Sequence, residues 1–247
     1  MKKHFLLFTV AMFFLSCEKE KEFSAQEIVD KTIEVTGGDK IKNATIAFDF
    51  RDKHYKATRN NGLFKLERTF KDSINTIRDV LSNEGFQRYI NNEIVKVSDT
   101  MVPKYAASVN SVHYFSVLPY GLNDAAVNKK YIEKVTVKGK PYHKIEITFN
   151  QEGGGEDFED IFVYWVNAET YKTEYIAYSY HENHGIGLRF REANNERYVS
   201  GIRFVDYTNY KPENSTSISA LDLDDLFEKN QLQIVSKINL KHIRLIP

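Results

Sequence analysis

The sharpest cluster of chemistry-bearing residues is His181-Glu182-Asn183-His184. Two histidines with an intervening glutamate could ligate a transition metal. The spacing is not H-E-x-x-H, which sets its histidines one helical turn apart. The cluster precedes Gly185 and lies between two strand-like runs, so it reads as a polar turn. A second candidate is Gly153-Gly154-Gly155-Glu156-Asp157-Phe158-Glu159-Asp160, whose carboxylates could hold a hard cation. It lacks the ligand spacing of an EF-hand and the Lys-Ser/Thr of a phosphate loop, and it reads as a hairpin connection with a solvated acidic rim. Asp72-Ser73-Ile74 and Asp99-Thr100-Met101 resemble a short bacterial O-glycosylation motif but read as ordinary turn residues. No G-x-S-x-G or Cys-His arrangement is present, so no catalytic residue, metal or cofactor is assigned and the chain is read as a non-enzyme.

Composition narrows the classes. The 247 residues are 42% hydrophobic and 28% charged, as in a globular protein. The formal net charge is zero, which leaves no basic footprint for nucleic acid. Cys17 is the single cysteine, so neither an intrachain disulfide nor a multi-cysteine metal site can form.

The N-terminus reads as an address. Met1-Lys2-Lys3-His4 is basic, and Phe5 to Leu15 is apolar apart from Thr9. This is a secretory-signal pattern, too short to span a bilayer comfortably. It ends in Phe14-Leu15-Ser16-Cys17, which resembles the lipobox of bacterial lipoproteins. The resemblance implies cleavage before Cys17 and acylation of that residue, anchoring the chain without a transmembrane helix. Residues 1–16 are then a signal peptide and 17–23 a lipidated cysteine with a charged tether. E-K-E-K-E within that tether also resembles surface-export signals of some Gram-negative lipoproteins. The implied location is the cell envelope, at the outer membrane of a Gram-negative bacterium, on its periplasmic or its surface face.

Residues 24–247 read as a single antiparallel β domain. Ser24-Ala25-Gln26-Glu27 matches a capping box, and Ile28, Val29, Thr32 and Ile33 form one helical stripe, so the pattern predicts a helix over 25–36, closed by Gly37-Gly38. Strands follow over 45–50, 64–70, 74–81, 86–90 and 94–97. Val102, Tyr105, Val109, Val112 and Ser116 recur at helical spacing and predict a helix over 103–116. Apolar residues cover much of its circumference. It is either a buried core helix or a lid over an apolar cavity. The β pattern resumes at Tyr131. Phe158 to Tyr180 reads as a hairpin, with Phe158, Phe162, Tyr164 and Val166 on one face and Ile161, Val163 and Trp165 on the other. Apolar residues on both faces place it at the centre of a large sheet covered on both sides. A turn is expected at Asn194-Asn195, a short helix within 217–227, and one last strand carrying Leu232, Ile234, Ile238 and Leu240.

A lipoprotein signal, a short helix ending in T-G-G-D-K-I, and sequential strands interrupted by an apolar helix resemble the LolA/LolB lipoprotein-carrier fold. V-N-S-V-H-Y-F-S-V-L-P-Y-G-L-N-D is similar to segments of other bacterial envelope lipoproteins. The resemblance implies an α+β fold. It has a large, strongly curved antiparallel sheet, a half-barrel of about 11 strands, with the N-terminal and central apolar helices on its concave side. It also implies a non-catalytic lipoprotein that binds or carries a lipid-like or other hydrophobic ligand. Tyr105, Val109, Val112, Phe115, Phe162 and Tyr164 are the expected cavity-lining residues. The alternatives are an assembly lipoprotein that docks another envelope protein, and a hydrolase at His181/His184 or the Glu156–Asp160 loop.

Overall fold

The computed structural model describes residues 24–154, 158–182, 185–213 and 218–246, with only the backbone described at 181, 182 and 185. Cys17 and its tether, His184 and the Glu156-Asp157 pair lie outside the described residues. Two seven-stranded antiparallel sheets make up the fold. The first is built from β1 (Thr45–Phe50), β2 (Lys53–Asn60), β3 (Leu63–Lys71), β4 (Thr76–Ser82), β5 (Gly85–Ile90) and β6 (Glu93–Val95), with β14 (Leu240–Ile246) beside β1. The second runs β7 (Val127–Val137), β8 (Lys140–Phe149), β9 (Phe162–Asn167), β10 (Thr173–Glu182), β11 (Gly185–Val199), β12 (Ile202–Pro212) and β13 (Leu232–Ile238), each strand pairing with the next in sequence.

This arrangement replaces the single sheet of about 11 strands expected from sequence. The change of partner happens at Asn239. There the chain leaves β13, on the edge of the second sheet, and enters β14, which pairs with β1. The last strand is therefore two strands in different ladders. The junction is clamped by Asp206, which is 5% exposed. Its carboxylate accepts from Leu240 N at 2.9 Å, Arg197 Nη2 at 2.9 Å and Asn195 Nδ2 at 2.7 Å, and Arg197 Nη2 also donates to the Leu240 carbonyl at 2.7 Å. Asn194-Asn195 is consequently not a hairpin turn. It sits in a register shift inside β11, with Asn195 at φ 48°, and the chain reverses later at Ser200-Gly201. Asparagine tolerates positive φ, and here that tolerance serves a bulge that aims side chains at the neighbouring sheet.

Helix α1 (Ala25–Val35) forms as its sequence dictates. The Ser24 hydroxyl accepts from Glu27 N, and the Glu27 carboxylate accepts from Ser24 N. Ile28 and Val29 are buried against one face of the second sheet together with Ile145, Ile147, Tyr164 and Val205. Gly37 has φ 77°, and its backbone abuts the Gly201 carbonyl so closely that a Cβ would stand 2.1 Å from that oxygen. Only glycine permits both the turn and the approach. A four-residue turn, α2 (Gly38–Ile41), then leads to β1. The opposite face of the second sheet is covered by a 3-10 turn (Ala220–Asp222) and α4 (Leu223–Glu228). Leu223 and Phe227 there pack on Val163, Trp165, Tyr175 and Phe190. The central hairpin is thus apolar on both faces because both are covered: Phe162, Tyr164 and Val166 face one core, and Val163 and Trp165 face the other.

Helix α3 (Val102–Ser116) is apolar in sequence, yet only Val109 and His113 are buried in it. It lies between the two sheets. Its inner face packs on β3, β4 and β5, and Val109 meets Ala57 of β2 and Leu66 of β3. Its C-terminal aromatic residues, Tyr114 and Phe115, turn towards the core that α1 shares with the second sheet. Polar pairs fix the helix on the first sheet. Arg68 Nη1 donates to Ser108 Oγ at 2.6 Å, and the Arg88 guanidinium lies 3.7 Å above the Tyr105 ring. His113 Nε2 donates to the Glu67 carbonyl at 3.0 Å and packs edge-on against Phe48 and Tyr55. No helix among the described residues is long and apolar enough to cross a membrane.

Candidate functional site

Because α3 is held on the first sheet by one face, its other face spans a gap above the second. That gap is a cavity of about 640 Å³. Its roof is α3, through Ala107, Asn110, Ser111, Val112, Tyr114 and Phe115. Its floor comes from successive strands of the second sheet: Phe149, Phe162, Tyr178, Arg191, Val205 and Tyr207. Phe50 and Leu240, at the junction of the two sheets, close one side. Arg51 and Glu159 line it from exposed positions, with Gly154 and Asp160 beside them. The volume falls within the range of roughly 300–1,000 Å³ usual for small-molecule sites.

The walls are aromatic. Phe115 lies 5.2 Å from Tyr178 and 6.1 Å from Phe162, which stacks on Tyr178 at 5.3 Å. Phe149 meets Phe162 edge-on at 5.8 Å. The hydroxyl of Tyr114, from the roof, reaches within 3.5 Å of the hydroxyl of Tyr164, which is buried under the floor. Burial pushes the Tyr114 phenol up to about 12 and the Tyr164 phenol well above its ordinary value, so both stay neutral and neither supplies a base at physiological pH. Burial likewise raises the Tyr207 phenol. Ser116 Oγ donates to the His113 carbonyl at 2.8 Å, and among the described residues no histidine lines the cavity. Among those residues there is also no group of three or more His, Cys, Asp or Glu placed to hold a metal. The arrangement is suited to holding an apolar body.

Of the residues expected to line a cavity, Val112, Phe115 and Phe162 do so, from the roof and the floor. Tyr105 lies instead on the first-sheet face of α3, against Phe86 and Arg88. Val109 is fully buried in the first-sheet core, and Tyr164 is buried under the cavity floor. Helical spacing groups Tyr105, Val109 and Val112 in one stripe, but the helix is sandwiched, so its stripe divides between sheet and cavity. His181 is in β10, opposite Ile186. Arg191, Tyr178, Tyr207 and Asn209 also line the cavity, and sequence pattern alone does not single them out. Arg191 follows Phe190 on β11, and its alternation with Leu188 and Phe190 reads as a solvent-facing position when only one buried face is considered.

Comparison with solved structures agrees with this architecture. The chain is similar to a LolA superfamily protein from Nitrosomonas europaea, with a TM-score of 0.52 and 9% identity over 92% of this chain and 95% of that one. It also matches a putative outer membrane lipoprotein-sorting protein domain from Vibrio parahaemolyticus at a TM-score of 0.41, with 9% identity over 88% and 93% of the two chains. A DUF1329 family protein from Desulfovibrio piger matches at 0.43, with 9% identity over 90% and 92%. No curated protein matches. The fold is LolA-like: α+β, with two antiparallel sheets and few helices. A family model matches residues 2–239, and on that match the chain belongs to the family of unknown function DUF6503.

Proposed function

We propose that this protein binds a hydrophobic ligand, without catalysis, in the cavity between α3 and the second sheet. The observation that carries the reading is the aromatic lining of a space of about 640 Å³ in a chain whose helix α3 is anchored by its other face. A core helix with apolar residues on most sides is ordinarily buried all round. Here Tyr114, Phe115 and Val112 are only half-buried because they face that space. The LolA-like fold supports a carrier or sensor of lipid-like molecules, and the lipobox-like Phe14-Leu15-Ser16-Cys17 supports a lipid anchor at the cell envelope.

Two measurements test this. Native mass spectrometry of the full chain, purified from a bacterial envelope and freed from its detergent micelle in the gas phase, is expected to show a retained mass that extracts into organic solvent. A ligand-free mass that persists after incubation with long-chain alcohols and acids would remove the binding reading. If that protein then crosslinks to an envelope protein, the assembly role takes its place. The anchor is tested by fractionation: the wild-type chain should pellet with membranes, and Cys17→Ser should shift most of it out of the acylated pool. A wild-type chain that carries no acyl mass on Cys17 would refute the anchor.

A further inference from the structure

We infer that the ligand of this cavity is an amphiphile with an anionic oxygen head, a carboxylate or a phosphate, held by Arg191. The inference rests on the cavity-binding reading above and adds the chemistry of the head group. Arg191 lines the cavity and is 8% exposed. Its guanidinium lies 3.7 Å over the Phe115 ring and 5.0 Å over Tyr178. A guanidinium has five N–H donors. One is used, from Nη2 to the Tyr178 hydroxyl at 2.8 Å. Nε is buried with no acceptor, and Arg191 has no carboxylate partner among the described residues.

Among the described residues the other Lys and Arg side chains buried this deeply are neutralised, while the half-buried Arg59, outside this cavity, lies over the Tyr120 ring with Nη1 unpartnered. Arg68 and Arg88 share Asp79, Lys144 is 2.9 Å from Asp224, and Arg203 pairs with Glu196. Arg191 instead faces the cavity, with aromatic faces and a phenol as its partners. Aromatic faces attract a cation but accept few of its hydrogen bonds. An anionic oxygen would supply both the charge and the acceptors. The neighbouring strand contributes a second group. Asn209 stands directly opposite Arg191 in the β11–β12 ladder and lines the same cavity. Its Oδ1 is buried without a partner while Nδ2 is 3.3 Å from Ser236 Oγ. Turning the amide over would let the Ser236 hydroxyl donate to Oδ1 and present Nδ2 as a donor beside the guanidinium. The acyl chain would lie along Phe115, Phe149 and Phe162. At the rim the one cation, Arg51, is exposed and stands with two carboxylates, Glu159 and Asp160, so among the described lining residues Arg191 is the buried cation available to an anionic head.

The test offers the full chain, in non-ionic detergent, an equimolar mixture of hexadecanoic acid, hexadecyl phosphate and hexadecan-1-ol, and reads the bound masses. The wild type should retain one or both of the anionic ligands over the alcohol by about tenfold, the size of one charge-assisted contact. The acid and phosphate arms separate the two head classes. Arg191→Met should bring the three within about twofold while alcohol binding persists, and Arg191→Lys should keep part of the preference. Parity in the wild type, or a preference that survives Arg191→Met, would overturn the inference and leave the cavity reading standing. Binding of none of the three would overturn both. The wild-type ratio decides the matter even if Arg191→Met does not fold.

Discussion

Replacing Asp79 with alanine is expected to cost about 3–5 kcal/mol of folding stability, the range for removing one partner from a buried ion pair. Asp79 is fully buried. One oxygen accepts from Arg88 Nε at 2.6 Å, and the other accepts from Arg68 Nη2 at 2.6 Å and Arg88 Nη2 at 3.0 Å. Removing the carboxylate would leave two guanidinium groups, from β3 and β5, on either side of β4 with no counter-charge. The effect would reach the cavity, because the same arginines hold the inner face of α3 through Ser108 and Tyr105. Chemical denaturation of wild type and Asp79→Ala measures the loss. Arg78→Ala is the comparison, since its side chain is 34% exposed and its contact with Glu67 is 3.1 Å long. Partly exposed pairs of this kind are worth at most about 1 kcal/mol. A loss below about 1 kcal/mol in Asp79→Ala would show that the triad does not hold the first sheet together.

The second large effect is acid sensitivity. His113 is fully buried, and burial lowers its pKa from 6.5 to about 3, outweighing the hydrogen bond to the Glu67 carbonyl. The folded chain therefore keeps His113 neutral where the unfolded chain binds a proton. Its contribution is fully present above pH 6.5 and is lost as pH falls from there towards about 3. The slope is about 1.4 kcal/mol per pH unit, or about 2 kcal/mol lost by pH 5. Burial also lowers the His143 pKa, so that residue acts in the same direction. The lowered carboxyl pKa of Asp49, held by hydrogen bonds from His54 and His242, adds its own loss only at more acid pH. His113→Gln keeps a donor for the Glu67 carbonyl and removes the titration. Between pH 8 and 5 the variant should lose about 2 kcal/mol less than wild type. Equal losses in the two proteins would place the acid sensitivity elsewhere.

Both effects concern the face of α3 that sequence pattern describes best. Helical periodicity locates the helix to within a residue, and Val109 falls on its buried line. The pattern does not say that the helix has a core on one side and a cavity on the other. Apolar residues round most of a helix satisfy either arrangement. The choice depends on the separation of two sheets whose strands come from different stretches of the chain.

Local sequence determined the elements whose causes are local. The Ser24–Glu27 box starts α1, Gly37 ends it, Asn91-Asn92 at φ 51° and 72° turns one hairpin, and alternation along 162–167 assigns a core to each face of the central strand. Tertiary structure alone decided the features that join residues far apart. The move from β13 to β14 at Asn239, the use of Asn194-Asn195 as a bulge clamped by Asp206, and the placing of Arg191 against Phe115 each depend on a partner distant in sequence. The physical reason is the same in all three. A strand's period says which residues share a face, and a capping box says where a helix starts. Neither says what will stand opposite that face, and it is the opposite wall that turns a buried arginine and a row of aromatics into a site.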